Sequence, residues 1–491
     1  MGVFDRVWAA AFACILVSLP AAAPAQTEKL FTPAEVRSDM EIMYRRLQAD
    51  AFELYAFTPK PEMDRLYEQL KAEIDHPLTR LEVQTRLELL AAVARQGHTR
   101  VEGFYAAWTA YQKAGGKAFP LAIRIVDGRA YVARNSSGLA RLKSGDEILE
   151  IDGEPAAYWL GRTRRRISAE TPAFADSILE YDFPMYLWLE VGSRPNFHVL
   201  AKPTDGEAFD LEVPSASAQE MAANAARQPP ALDLEHPLRD ARILPNGSGY
   251  LRPGPFYNEE AKTGADGWDV TAFRAFIDSA FRTFNAKGVR VLIIDLRSNP
   301  GGDSLFSDVM MSWIADRPYQ FFSSFKVRVS DDAVAANRDR IEHDAAAAGP
   351  ISQRYAALYA KSHPGEVVKF SLPLSLPNQT EKFRGRVFAL VNRQTYSNAV
   401  AVAATIQDYR FGKILGEPTA DMATAFGAME HFTLPATGIV LGFPKAHIVR
   451  PNGDARSKGV MPDIAIRFPI VETPEDEVLG RAADIAAAPQ G

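Results

Sequence analysis

The sequence predicts an α/β protein with a helical entry and an inserted β-rich module, and three observations carry that prediction. Apolar residues recur at three- and four-residue spacing near the N-terminus, short β-like runs between tight turns follow, and from about Ser248 buried-strand patterns alternate with helical ones. The 491 residues, 47% hydrophobic and 24% charged, suffice for two or three domains with substantial cores. A formal net charge of -6 lacks the excess of Lys and Arg that phosphate contacts require, so nucleic acid is not an expected partner.

Taken in order, the first residues read as a secretory signal. Arg6 precedes an apolar stretch over residues 7–19, and the small residues at 21–26 offer a cleavage site. Residues 1–25 are therefore expected to be removed, leaving a periplasmic or secreted protein that meets a membrane only through that segment. Cys14, the one cysteine, lies inside it, so the mature chain would have no thiol for disulfides, catalysis or metal ligation. Residues 26–115 are expected to form the helical module, with Met40, Met43 and Leu47 and then Leu81, Leu87, Leu90 and Val93 on its apolar faces. It is expected to end at Gly97-His98-Thr99, a helix-terminating glycine handing over to a strand at 100–105. Residues 116–214 form the β-rich module, with β-like runs at 121–126, 130–133 and 147–151. The stretch 142–153 (LKSGDEILEIDG) resembles the end of a PDZ domain, a module that binds peptide C-termini by strand addition. Residues 215–247 read as a linker, its first part at 215–230, rich in Ala, Ser, Gln and Pro, as a linker or a surface helix; 248–470 read as the α/β core, and 471–491 as a tail with a short Ala-rich helix.

Two strand–turn–helix units in the core carry the chemistry. Residues 289–297 read as a buried strand that runs into Ser298-Asn299-Pro300-Gly301-Gly302-Asp303. Paired glycines there let backbone N–H groups point outward at a helix N-terminus, where negative charge is stabilised. In the second unit, a strand at 387–392 and a polar turn lead to Ser397, which opens a helix at 398–408. Ser397 is either a nucleophile sharing its oxyanion with the Asn398 N–H or an N-cap, the commoner role of serine before a helix.

Four segments in this order, Ile294 through Gly302, Ser397 at its strand–helix junction, Gly416-Glu417-Pro418-Thr419, and Gly459-Val460-Met461-Pro462-Asp463-Ile464, resemble the signatures of the C-terminal processing (tail-specific) serine peptidases. The resemblance implies a crotonase-like (ClpP-like) core of ββα units with a helical entry and a PDZ-like insert. It also implies Ser397 as nucleophile, with Gly301, Gly302 and Asn398 as the oxyanion hole. Where the best-known branch has the lysine of a Ser-Lys dyad, this chain has Met422, which cannot serve as a base. A related branch, which includes the tricorn-type core proteases, takes a histidine from the end of the helical module instead. Here that residue is His98, and an imidazole suits proton transfer near neutral pH. The acid of that branch is a Glu shortly before Gly-Val-x-Pro-Asp; Arg456 stands there, leaving Asp454 and Glu430 as nearby candidates. The implied partner is a peptide or protein substrate, with no cofactor. No metal is expected either, because no two of the eight histidines fall within five residues of each other.

Two alternatives come from other classes. Gly302-Asp303-Ser304-Leu305 spells the block of a lipase and esterase family, with Ser304 as nucleophile, but it lies mid-chain and Asp233-Leu234-Glu235-His236 precedes it. A catalytically degenerate relative that binds peptides or apolar ligands is the other, suggested by Met422 and Arg456.

Overall fold

The structure, a computed structural model, describes residues 29–228, 232–234, 238–261, 265–343, 349–471 and 473–488. The expected signal segment lies outside the described residues. Helices α1 (Pro33–Asp50), α2 (Lys60–Ala72), α3 (Arg80–Ala92) and α4 (Phe104–Lys113) make the N-terminal module. Thr32 with Glu35 and Thr79 with Glu82 close reciprocal capping boxes at the starts of α1 and α3. Each satisfies helix-opening N–H groups that would otherwise cost about 1 kcal/mol. The apolar faces, including Met40, Met43, Leu47, Leu87 and Leu90, pack against Phe432, Leu441 and Phe443 of a later hairpin. The helical entry is thus built onto the core.

The end of this module differs from expectation. Helix α3 stops at Ala92, and the following strand is only Arg100–Val101, before α4 begins at Phe104. Gln96 holds the intervening loop by donating to the carbonyls of Phe52 and Glu53, and Arg95 rather than Gly97 takes a positive φ, 55°. Gly97 is needed for closeness: a methyl there would lie 2.7 Å from the Phe174 ring.

Strands β1 (Leu121–Val126), β2 (Arg129–Asn135), β3 (Glu147–Ile151), β4 (Asn196–Lys202) and β5 (Phe209–Pro214) form an antiparallel sheet in the order β5-β4-β3-β2-β1. Helices α5 (Ala156–Arg164) and α6 (Pro172–Val191) share its core through Trp159, Leu160, Phe174 and Leu179.

The main sheet runs β6 (Asp240–Ile243), β7 (Gly249–Arg252), β8 (Val291–Asp295), β9 (Arg386–Val391), β10 (Lys413–Gly416) and finally Ile464–Ala465. All but β6 are parallel to their neighbours. The presumed linker therefore ends inside the sheet as β6, and it also holds a helix at Ala218–Ala225. Leu292, Ile294, Ala389 and Val391 face helices α7 (Thr271–Ala286), α8 (Ser304–Ile314) and α9 (Asn398–Asp408). Val291, Ile293, Phe388 and Leu390 face α10 (Glu477–Ala487). Strands covered on both faces read as unbroken apolar runs, as β8 and β9 do. The C-terminal helix closes one face of the sheet, and Asp476 at its start pairs with Arg297 at 2.5 Å. A second sheet contains the hairpin β11 (Ala425–Thr433) and β12 (Val440–Val449); Arg100–Val101 pairs with β12.

Candidate active site

Strands β8 and β9 are parallel neighbours in register, Asp295 opposite Leu390, so the chain leaves both at the same end of the sheet. Open parallel sheets bind ligands at such strand ends. The two turns that emerge there are laced together. Ser298 N–H donates to Asn392 Oδ1 (2.9 Å), Thr395 Oγ1 to the Leu296 carbonyl (2.8 Å), and Tyr396 N–H to the Asn299 carbonyl (2.9 Å).

Ser397 sits at the top of the second turn with φ 53° and ψ -123°, a conformation that costs a non-glycine residue about 1–3 kcal/mol. An N-capping hydroxyl would return about 1 kcal/mol, yet the Ser397 side chain caps nothing. The strain is therefore not explained by capping, and the partly exposed hydroxyl is left at the helix start. Gly301 of the first turn lies against it, and Gly302 against Phe256. A methyl on Gly301 would come within 2.8 Å of Ser397 Cβ and 2.7 Å of the Asn398 nitrogen, and one on Gly302 within 2.2 Å of the Phe256 carbonyl oxygen. Their φ values, 85° and 129°, independently favour glycine.

The expected set of oxyanion donors needs one correction. Gly301 N–H donates to Asn299 Oδ1 at 2.9 Å and is not free to bind a substrate. The N–H groups of Gly302, which is exposed, and of Asn398 have no acceptor among the described residues. Two free donors beside one hydroxyl are the arrangement that stabilises a tetrahedral oxyanion.

His98 stacks on Tyr396, the neighbour of Ser397, with ring centroids 6.2 Å apart and planes 25° from parallel. Burial first, and the positive charge of Arg100 second, push its pKa down to about 4 against a hydrogen bond with the Phe426 backbone. The ring is neutral at pH 7, and its Nδ1 is buried without a partner. Among the described residues no hydrogen bond joins His98 to Ser397. The two are brought together through Tyr396 and not directly.

Neither candidate acid reaches His98. Asp454 is held at the surface by Arg456 (2.8 Å) and Lys458 (3.0 Å), and Glu430 is buried in a separate cluster with Lys445 and Arg340. Both are engaged by cations nearer in the fold, which corrects that expectation. Met422 is buried with Tyr396 and Ala420 in the core of the β-rich module, so the lysine's place is apolar. The residue beside it was missed: Asp421 accepts the Ser397 N–H at 2.5 Å and the Met422 N–H at 2.8 Å, and burial raises its pKa to about 6. Its position within the Gly416–Ala423 signature was the one available signal. Glu170, which accepts the Gly97 N–H at 3.1 Å, has no motif around it.

The remaining signatures act as braces. Glu417 pairs with Arg393, Val460 N–H donates to Thr419 Oγ1 at 2.8 Å, and Asp463 accepts the Ile414 N–H at 2.7 Å. Ser304 is merely the first residue of α8, capped by Asp303, with no histidine or carboxylate bonded to its hydroxyl. A small pocket of about 40 Å³ beside the first turn, lined by Arg252, Asp295 and Ser298 among others, includes neither Ser397 nor His98 and is not where this serine would act. Among the described residues no group of three His, Cys, Asp or Glu could hold a metal ion, and no helix is long and apolar enough to cross a membrane.

A parallel α/β sheet presenting a strained serine beside two free backbone N–H groups has the parts that serine hydrolases use. Residues 262–466 match the model of peptidase family S41, the family whose signatures the sequence motifs resemble. No curated protein matches it in sequence. Among solved structures it is similar to mature CPAF, at 16% identity and a TM-score of 0.59 over 89% of this chain and 93% of that one. Mature CPAF complexed with lactacystin is similar at 16% identity and a TM-score of 0.61, over 93% and 97%. The photosystem II D1 C-terminal processing protease has 16% identity and a TM-score of 0.45, over 93% and 98%. At these identities the likeness to CPAF establishes a shared fold.

Proposed function

We propose that this chain is an exported serine endopeptidase that cleaves unstructured peptides or protein C-termini through an acyl-enzyme on Ser397. The observation that carries the reading is the strained, uncapped Ser397 with the free N–H groups of Gly302 and Asn398 beside it. Ser397 Oγ bonds to the peptide carbonyl carbon while its proton passes to His98, and the two N–H groups hold the oxyanion. The C–N bond then breaks, the leaving amine takes the proton from His98, and water hydrolyses the ester by the same route in reverse. The α/β sheet with its ββα-like units is read as a crotonase-like core, and the β1–β5 module as a PDZ-like insert. Export rests on residues 1–25 of the sequence.

A second reading, a degenerate binding relative, is favoured by one observation: His98 is buried and bonded to the Phe426 backbone instead of to Ser397. Fluorophosphonate labelling of the mature protein separates the two. The peptidase reading expects an adduct on Ser397 that is lost in Ser397→Ala and strongly slowed in His98→Ala. Absence of any Ser397-dependent adduct would overturn it.

A further inference from the structure

Two buried carboxyl groups lie under the catalytic turns, outside the expected serine–histidine pair. Asp421 and Glu170 are each about 4% exposed. Asp421 fixes the Ser397 turn through the backbone N–H of Ser397 itself. Glu170 fixes the His98 turn through Gly97: its Oε1 takes the Gly97 N–H, while its Oε2 is buried with no partner and lies 3.4 Å from where a Gly97 Cβ would be. His98 Nδ1, one residue along, is also buried with no partner. An unmatched carboxylate oxygen and an unmatched ring nitrogen are costly separately, about 1–3 kcal/mol each, and complementary together.

We propose that Glu170 is the acid that orients His98, its Oε2 accepting from His98 Nδ1–H when the ring turns toward Ser397, and that Asp421 is the second positioning residue, anchoring the nucleophile turn. The inference rests on the serine peptidase reading above. It supplies the acid that Arg456 replaces in sequence, from a segment that enters α6 and not from the C-terminal signature.

The charges facing the pair decide how it responds to pH. Arg95 donates to the Glu170 carbonyl at 3.0 Å and favours its ionised form, Arg100 and the Tyr396 hydroxyl lie on the His98 side, and Phe174 covers Gly97. Burial first, and the Asp421 charge second, raise the Glu170 pKa to about 8. Ionised Glu170 accepts from Nδ1–H more strongly than its neutral form does, and so holds the tautomer whose other ring nitrogen can take the Ser397 proton. Activity should therefore rise as pH climbs toward about 8. Stability should move the opposite way, because an acid whose pKa is raised in the folded protein favours folding below its ordinary range and loses that contribution as pH rises through about 8.

The test is the pH profile of fluorophosphonate labelling and of peptide hydrolysis, with thermal unfolding measured over the same range. For the parent protein, labelling should accelerate from pH 6 to 9 while the unfolding temperature falls. Glu170→Gln keeps an oxygen for the Gly97 N–H but cannot ionise. It should lower kcat on the order of a hundredfold with KM unchanged, and flatten both slopes. A parent protein that labels at Ser397 with a flat profile, or a Glu170→Gln variant with parental kcat and slopes, overturns this inference and leaves the peptidase reading standing. A parent protein never labelled at Ser397 overturns the peptidase reading instead. Should Glu170→Gln not fold, the parental profile decides alone.

Discussion

Ser397 holds a backbone conformation that glycine would adopt without strain, which separates its chemical role from its structural one. Ser397→Ala removes the hydroxyl and keeps the strain, whereas Ser397→Gly removes both. Neither variant should hydrolyse peptide, but Ser397→Gly should be the more stable by about 1 kcal/mol in urea unfolding. Equal stabilities would mean that the turn relaxes when the side chain is shortened. The setting of Ser397 was legible in the sequence because its cues are local: a strand, a polar turn and a helix in succession. Asp421 and Glu170 were not legible, since a buried carboxylate has its role through tertiary partners, and Glu170 meets Gly97 across the fold. Asp454 and Glu430 show the same limit from the other side. Nearness in sequence to the expected position suggested them, and nearer cations claimed them.

At the scale of elements, the edge of the β-rich module is locked to the turn that carries Ser397. Edge strand β1 presents Ile125, whose N–H is taken by Glu180 Oε1 (2.7 Å) and whose carbonyl is taken by Arg393 Nη1 (2.8 Å). Gln394 also donates to Glu180 at 2.7 Å, and Arg393 pairs with Glu417. A peptide could add a strand at Ile125 only by displacing these groups, three and four residues before Ser397. Arg393→Ala should destabilise the protein by roughly 2–3 kcal/mol, toward the low side for a buried pair because Arg393 keeps 24% of its side-chain exposure. It should also raise hydrogen exchange at the Ile125 amide. Unchanged protection at Ile125 together with parental stability would show that the lock carries no weight. The strands of this module were legible from their turns and alternation, whereas the ion pairs across its edge join segments that no periodicity connects.

For the molecule as a whole, the sheet needs both of its covers. Helix α10 buries Val478, Leu479 and Ala482 on one face, and Asp476 holds Arg297, itself bonded to Asp295 at the end of β8. Truncation before Asp476 should expose that face, leave Arg297 short of a partner, and convert a protease-resistant core into one cut readily near β8 in limited proteolysis. A truncated protein as resistant as the full chain would contradict this. The α/β alternation of the core was readable from sequence, but the tail's part in it was not, because a short Ala-rich helix gives no sign of which face it will cover.

The pairing of Arg100–Val101 with β12 bears on how the enzyme comes into being. The segment carrying His98 is pinned by a strand synthesised long after it, and the first turn is steadied by a helix made later still. A chain emerging in order from the ribosome therefore has no assembled site until helix α10 has been made. Contacts so distant in sequence also form late in refolding. A catalyst of peptide cleavage assembled in this way stays harmless to the machinery that makes it, and its activity on refolding should lag behind the recovery of helical signal.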